Sequence, residues 1–219
     1  MPIDLGALLR GDELRRGRTA TAAVLTMELQ RGVVGDLATF PALRDAVAHL
    51  DVAAHTAALC RHGRTLGWPI VHCLAEFRED WAGSVVNSPL HAAMARIPGH
   101  LVAGTPATHL IPEVAAEASD FEVPRLSGVS PFCGTALDQT LRSMDVTVLV
   151  VTGVSVNLGV LGLCIEAVNL GYQVVLATDA VAGTPADYAD AVIRETLSLV
   201  CTLATSEEII AASPAPPTE

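Results

Sequence analysis

The chain has 219 residues, 51% of them hydrophobic and 17% charged, which suits one large α/β domain with a full core. A net charge of −11 excludes nucleic-acid binding as a main role. All 13 basic residues are arginine, so Schiff-base chemistry, pyridoxal phosphate attachment and a P-loop lysine are excluded together.

In chain order, residues 1–18 read as an amphipathic arm: Leu5, Leu8 and Leu9, then Arg15, Arg16 and Arg18. Such an arm packs on its own domain or on a neighbouring subunit. Residues 19–212 read as a single α/β domain, and the proline-rich stretch 213–219 as a disordered tail. Residues 21–29 form the first expected strand. Residues 41–63 read as one helix, with Leu43, Val47, Leu50, Ala54 and Leu59 near helical spacing and Gly63 as terminator. A second strand covers 68–74. An excursion over 75–100 is long enough to be functional or to hold a small helix, placed at 90–96.

A short strand at 121–124 and a helix at 135–144 follow. Residues 146–152 are a β-branched run that reads as a central strand buried on both faces. It stops at Gly153, and a helix over 160–170 ends at Gly171. Residues 173–178 are the next strand. Thr184-Pro-Ala-Asp187 reads as a helix start, with Thr184 as cap and Pro185 first. Residues 200–205 are the last strand, with Ser206 capping a closing helix.

Strands alternating with helices predict a three-layer, Rossmann-like fold: a parallel sheet with helices on both faces. Ligands of such sheets bind beyond the carboxyl ends of the strands, where strand order reverses. Glu28, His72, Arg125 and the Gly153–Gly159 turn all fall near expected strand ends.

Cys60, Cys73, Cys133, Cys164 and Cys201 form no CxxC pair, which fits free thiols in a cytoplasmic setting. Asp4, Asp12 and Glu13 argue against a signal peptide, and no apolar run reaches membrane-spanning length. No cofactor and no metal are expected. The expected partners are a small-molecule substrate and further copies of the chain, in a homodimer or homotetramer; neither nucleic acid nor membrane is expected.

Five segments together resemble the isochorismatase-like (cysteine hydrolase) superfamily. They are Met27-Glu-Leu-Gln30, Gly104-Thr-Pro-Ala with Pro112-Glu113, Arg125 with Ser130-Pro-Phe-Cys-Gly-Thr-Ala-Leu-Asp138, Thr152-Gly-Val-Ser-Val-Asn-Leu-Gly159, and Asp179-Ala180. The amide-cleaving members use an aspartate, a lysine and a cysteine, which the resemblance carries onto Glu28, Arg125 and Gly159. All three differ here. The resemblance also implies that isochorismatases proper carry glycine at the cysteine position and cleave a vinyl ether without a covalent intermediate.

The expected catalytic set is therefore Glu28, Arg125 and Gly159. Glu28 would act as general acid/base, and Arg125 would hold an anionic group. The alternative is a structural Glu28–Arg125 ion pair in a catalytically inactive relative that binds a metabolite or serves in an assembly. At Ser155 the resemblance implies a non-proline cis peptide that turns backbone N–H groups towards substrate oxygen. Gln30, Phe132, Cys133 and His72 complete the candidate binding set. Gln30 and His72 have a structural alternative, a satisfied buried amide and a core histidine. Cys133 is a candidate relocated nucleophile of an amide hydrolase, weighed against a small hydrophobe. The segment His72-Cys-Leu-Ala-Glu-Phe-Arg78 lacks the paired histidines of the family's metal-binding members.

Overall fold

The computed structural model describes residues 4–10 and 21–215, so the basic cluster of the arm and the last four residues lie outside the described part. Six strands make one sheet in the order β3-β2-β1-β4-β5-β6. They are β1 (Thr21–Met27), β2 (Ile70–Ala75), β3 (Phe121–Arg125), β4 (Val146–Val154), β5 (Gln173–Ala182) and β6 (Thr202–Ala204). Every pairing is parallel. The chain winds outward from β1 to β3 and returns through β4, so the order reverses between β1 and β4. The candidate site falls at that switch point.

With few aromatics available, the core is built from Val, Leu and Ala. One face of the sheet carries Leu25, Met27, Val71, Cys73 and Val151 against α5 (Leu137–Ser143) and α6 (Leu161–Asn169). Alternate residues of the same strands, among them Ala22, Val24, Ile70 and Val148, face α3 (Val52–Thr65) and α8 (Ser206–Ala212). The short α1 (Leu5–Arg10) buries Leu8 and Leu9 in this second layer, so this part of the arm packs on its own domain.

Several element ends differ from expectation. The helix expected over 41–63 is two: α2 (Pro41–His49) and α3, broken where Asp51 adopts a left-handed backbone, φ 53°. Aspartate tolerates that region better than most residues, and spacing alone cannot reveal such a break. Gly63 lies inside α3 instead of ending it. A Cβ there would stand 3.0 Å from Ile70 and 3.1 Å from Val24, so glycine lets the helix approach the sheet.

Thr184 is not a cap. Pro185, after a cis Thr184–Pro185 bond, is the residue before α7 (Ala186–Ala191), and no side chain caps that helix. Thr205, not Ser206, caps α8, in a capping box with Glu208. Both corrections arise because several adjacent residues are acceptable caps and only the backbone chooses. The small helix of the excursion is α4 (Pro89–Met94). Among the described residues no helix is long and apolar enough to cross a membrane.

Candidate active site

β1 ends one residue before Glu28, whose backbone turns into the left-handed region (φ 50°) while its N–H donates to Cys73 O at 2.9 Å. A non-glycine residue there costs on the order of 1 kcal/mol, tolerated where the surrounding structure fixes it. The turn places the carboxylate at the carboxyl edge of the sheet. Arg125, the last residue of β3, reaches it from two strands away and donates from Nη2 to Glu28 Oε1. The pair is largely sequestered, with side chains 7% and 17% exposed for Arg125 and Glu28. Arg125 Nε donates to Gly128 O at 3.1 Å, whereas its buried Nη1 has no hydrogen-bond partner among the described residues. A guanidinium N–H left bare in a dry site invites an acceptor from a ligand.

The third edge is the turn after β4. Gly153 (φ 99°) lies inside β4, which runs past it to Val154, and lets that strand pass close to the end of β1: a Cβ would lie 2.2 Å from Met27 O. The Val154–Ser155 peptide is cis. A π-helical turn follows at Val156–Val160 and runs directly into α6. Such turns recur at functional sites. Ser155 O accepts from the N–H groups of Leu158 and Val160. Gly159 is buried beneath Met27, and a Cβ on it would meet Met27 Cε at 3.0 Å.

Glu28, Arg125, Ser155 and Gly159 all line one cavity of about 190 Å³. Most of its remaining wall was not singled out in the sequence as part of a site. Phe40 and Leu43 come from the start of α2, Leu90 and Met94 from α4, and Leu101 and Leu158 close it. Polar groups reach it from His91, His100, Asn157 and Thr184. The excursion over 75–100 is thus part of the site, and its length was the only signal.

His91 is tied by Ser88 Oγ at Nδ1 (2.7 Å) and faces Gly128 O at 3.4 Å. Asn157 Nδ2 donates to Thr184 O at 3.4 Å, while its buried Oδ1 has no partner among the described residues. A larger surface groove, about 750 Å³, runs beside α2 and residues 109–113. There Arg31 pairs with Asp36 and Arg44 with Asp45, while the smaller cavity, at the carboxyl ends of the strands, is the better candidate.

Four sequence candidates do not line the cavity. Gln30 is fully buried, donates to Ala75 O (3.0 Å) and Thr108 O (2.9 Å), and accepts from Ala75 N (2.8 Å). Its amide is spent on holding the loop to β2. His72 sits in mid-strand and points to the α3 face, with Nδ1 2.8 Å from Thr26 Oγ1 and Nε2 3.4 Å from Asp120. Burial pushes its pKa down, against a smaller opposing pull from Asp120. Phe132 stacks on Tyr172 in the core, at 5.8 Å between ring centroids. Cys133 is exposed.

Asp179 is likewise engaged elsewhere, accepting from Ser206 N and Oγ at 2.7 Å. Cys73 lies beneath the ion pair, and burial drives its thiol up to about 12, which makes it no nucleophile. Among the described residues no group of three or more His, Cys, Asp or Glu is placed to hold a metal ion.

The Isochorismatase domain profile matches residues 22–208. An uncharacterized isochorismatase family protein of Bacillus subtilis, YwoC, is 30% identical over 100 residues, which span 46% of this chain and about half (52%) of that relative. An isochorismatase family protein from Desulfovibrio vulgaris has the same fold at TM-score 0.75, with 22% identity over 88% of this chain and 100% of that one. An N-carbamoylsarcosine amidase from Thermoplasma acidophilum superposes at TM-score 0.68, with 20% identity over 85% of this chain and 97% of that one.

Proposed function

This chain belongs to the isochorismatase family, and from that premise we propose that it is a hydrolase acting on a small metabolite without a cysteine nucleophile. The observation that carries this reading is the cavity lined together by Glu28, Arg125 and Gly159, with Arg125 Nη1 unpartnered among the described residues. With glycine at position 159 no thioester can form there, so water must attack the substrate directly. Glu28 is the proton-exchanging group. Held at the cavity edge by Arg125, its carboxylate acts first as the acceptor of water's proton. Arg125 Nη1 holds a substrate oxygen, and backbone N–H groups at the Ser155–Gly159 turn face the charge that develops on it.

The cavity wall adds a size and polarity limit. About 190 Å³ is below the range of drug-sized pockets, and most of the wall is apolar. The substrate is therefore compact, with one polar end directed at Arg125 and an apolar body against Leu43, Met94 and Leu101. Cys133, exposed and off the cavity, receives no support as a relocated nucleophile.

A competing reading keeps the same pocket as a binding site only, and the unpartnered Arg125 and Asn157 atoms fit it equally well. The test is a product screen of purified protein against isochorismate, small amides and ureides, with Glu28→Gln as control. Turnover lost in the variant supports the hydrolase; saturable binding without turnover selects the binding-only protein.

A further inference from the structure

We propose that His100 is a second acid–base residue of this cavity, delivering a proton to the leaving group through Nε2 opposite Glu28; the proposal rests on the hydrolase reading. His100 is 5% exposed and lines the same cavity as Glu28 and Arg125. Its Nδ1 lies 3.2 Å from Thr39 Oγ1, which anchors one nitrogen and leaves Nε2 for exchange. The ring is held on two sides: Phe40 meets it edge-on at 6.0 Å and 86°, and Phe77 lies nearly parallel at 6.3 Å and 23°. Phe77 is itself stacked on Trp81 at 4.5 Å. A histidine packed this way keeps a fixed aim, which a proton donor requires and a mere space-filler does not.

The chemistry has a vacancy for it. Glu28 takes up water's proton in this scheme; a second group that protonates the leaving group spares Glu28 that return step, and the chain holds no lysine for it. For an acyl substrate R–CO–X, water gives one proton to Glu28 while its oxygen bonds to the carbonyl carbon. The C–X bond then breaks. X leaves with the bonding electron pair and takes the proton from the imidazolium Nε2. Glu28 returns its proton to His100, so one water is consumed, R–COOH and HX are formed, and both residues are restored.

The charged and titratable groups that line the cavity with His100 are Glu28 beyond β1, Arg125 on β3 and His91 on α4; Thr39, Phe40 and Phe77, which touch the ring, carry none. Burial lowers the imidazole from its ordinary 6.5, and the Glu28 charge opposes that. The proton donor is therefore lost as pH rises, and the alkaline limb of activity lies below about 6.5.

The experiment pairs pH–rate profiles, on whichever compound of the screen turns over, with histidine NMR titration of the intact protein. His100→Asn should lower kcat about 100-fold with little change in KM and should erase the alkaline limb. In the NMR titration, Glu28→Gln should move the His100 midpoint further down. A wild-type alkaline limb in His100→Asn, or a His100 midpoint indifferent to Glu28→Gln, overturns the proposal while leaving the hydrolase intact. A wild type inert towards every compound overturns the hydrolase reading, and the His100 role with it. If His100→Asn does not fold, Thr39→Val frees Nδ1 instead; an unchanged alkaline limb in that variant would equally overturn the assignment.

Discussion

The same three strands carry two polar clusters that are built to opposite rules. On the α3 face, Thr26 of β1 and His72 of β2 are joined at 2.8 Å, and His72 faces Asp120, just before β3, at 3.4 Å. Asp120 also accepts from Arg64 Nε at 3.1 Å and from Glu117 N at 2.8 Å, and Arg64 continues to Glu117 at 2.8 Å. At the carboxyl edge, Glu28 and Arg125 are also paired, yet Arg125 Nη1 and Asn157 Oδ1, from two residues lining the same cavity, are buried without partners among the described residues. The first cluster completes itself. The second leaves a donor and an acceptor open among the described residues, which on the proposed reading a ligand in the adjoining cavity would meet. Burial and charge are similar in the two, so neither alone marks function; the bare donor and acceptor do.

Breaking the closed cluster should give the largest change, and in stability. Asp120→Ala leaves Arg64 without its buried partner and His72 without its acceptor, a loss of about 3 kcal/mol or more. Urea unfolding measures it. A loss below about 1 kcal/mol would mean that the cluster is solvated and not structural.

The open cluster should answer in activity instead. Glu28→Gln keeps the shape and an acceptor for Arg125 but cannot exchange a proton, so turnover should fall by about 100-fold or more, with a stability loss smaller than that of Asp120→Ala. Alkylating the accessible thiols, Cys133 first, should leave activity intact. Turnover abolished by Cys133→Ser but not by Glu28→Gln would reverse the assignment. Arg125→Lys sharpens the comparison: a lysine that reaches Glu28 should preserve the rate, whereas a substrate held by two guanidinium N–H groups should bind more weakly.

How much of this was legible depended on whether a signal was local. The alternation of apolar runs and helical spacing gave the parallel sheet, and the Gly153-to-Gly159 turn could be located because strand, glycine and helix follow one another directly. Glu28 and Arg125 were found through motif order, although 97 residues separate them. The cavity wall was not legible. Phe40, Met94, His100 and Leu101 come from the residue before α2, the excursion and the residue after it, whose approach to the strand ends is a tertiary event with no periodic trace. Gln30 and His72 carried the right chemistry at plausible positions. One was claimed by the backbone of β2, and the other was turned to the far face by strand alternation.

Acid should separate the clusters next. His72 and His100 both have pKa values lowered by burial, so the folded state binds their protons less readily than the unfolded chain. That stability is fully present above the ordinary 6.5 and is lost as pH falls below it. Asp120 is held below its ordinary 3.8, with Arg64 and Glu117 N outweighing its desolvation, so its contribution is present above 3.8 and fades only in stronger acid. Unfolding midpoints taken from neutral to mildly acidic pH should therefore fall first through the histidines. His72→Gln should flatten that first slope; an unchanged slope would place the proton uptake elsewhere.

The smallest effect is expected at Gly159, and it is the one that separates a vacated catalytic position from a packing requirement. A Cβ there meets Met27 Cε at 3.0 Å and Val154 O at 3.3 Å. The nearer contact is the end of a flexible side chain that can yield by a few tenths of an ångström. Nor does the backbone need glycine there, since the positive-φ glycines of this turn region end at Gly153. Gly159→Ala should cost no more than about 1 kcal/mol, with turnover kept within a few-fold, because the proposed water attack uses no side chain at this position. Thermal unfolding together with the rate on the same substrate decides it. A large loss of activity with stability retained would mean that attacking water occupies the space a Cβ fills. Turnover kept in Gly159→Ala but lost in Glu28→Gln would leave the carboxylate as the reacting group and the glycine as a position the chemistry has abandoned.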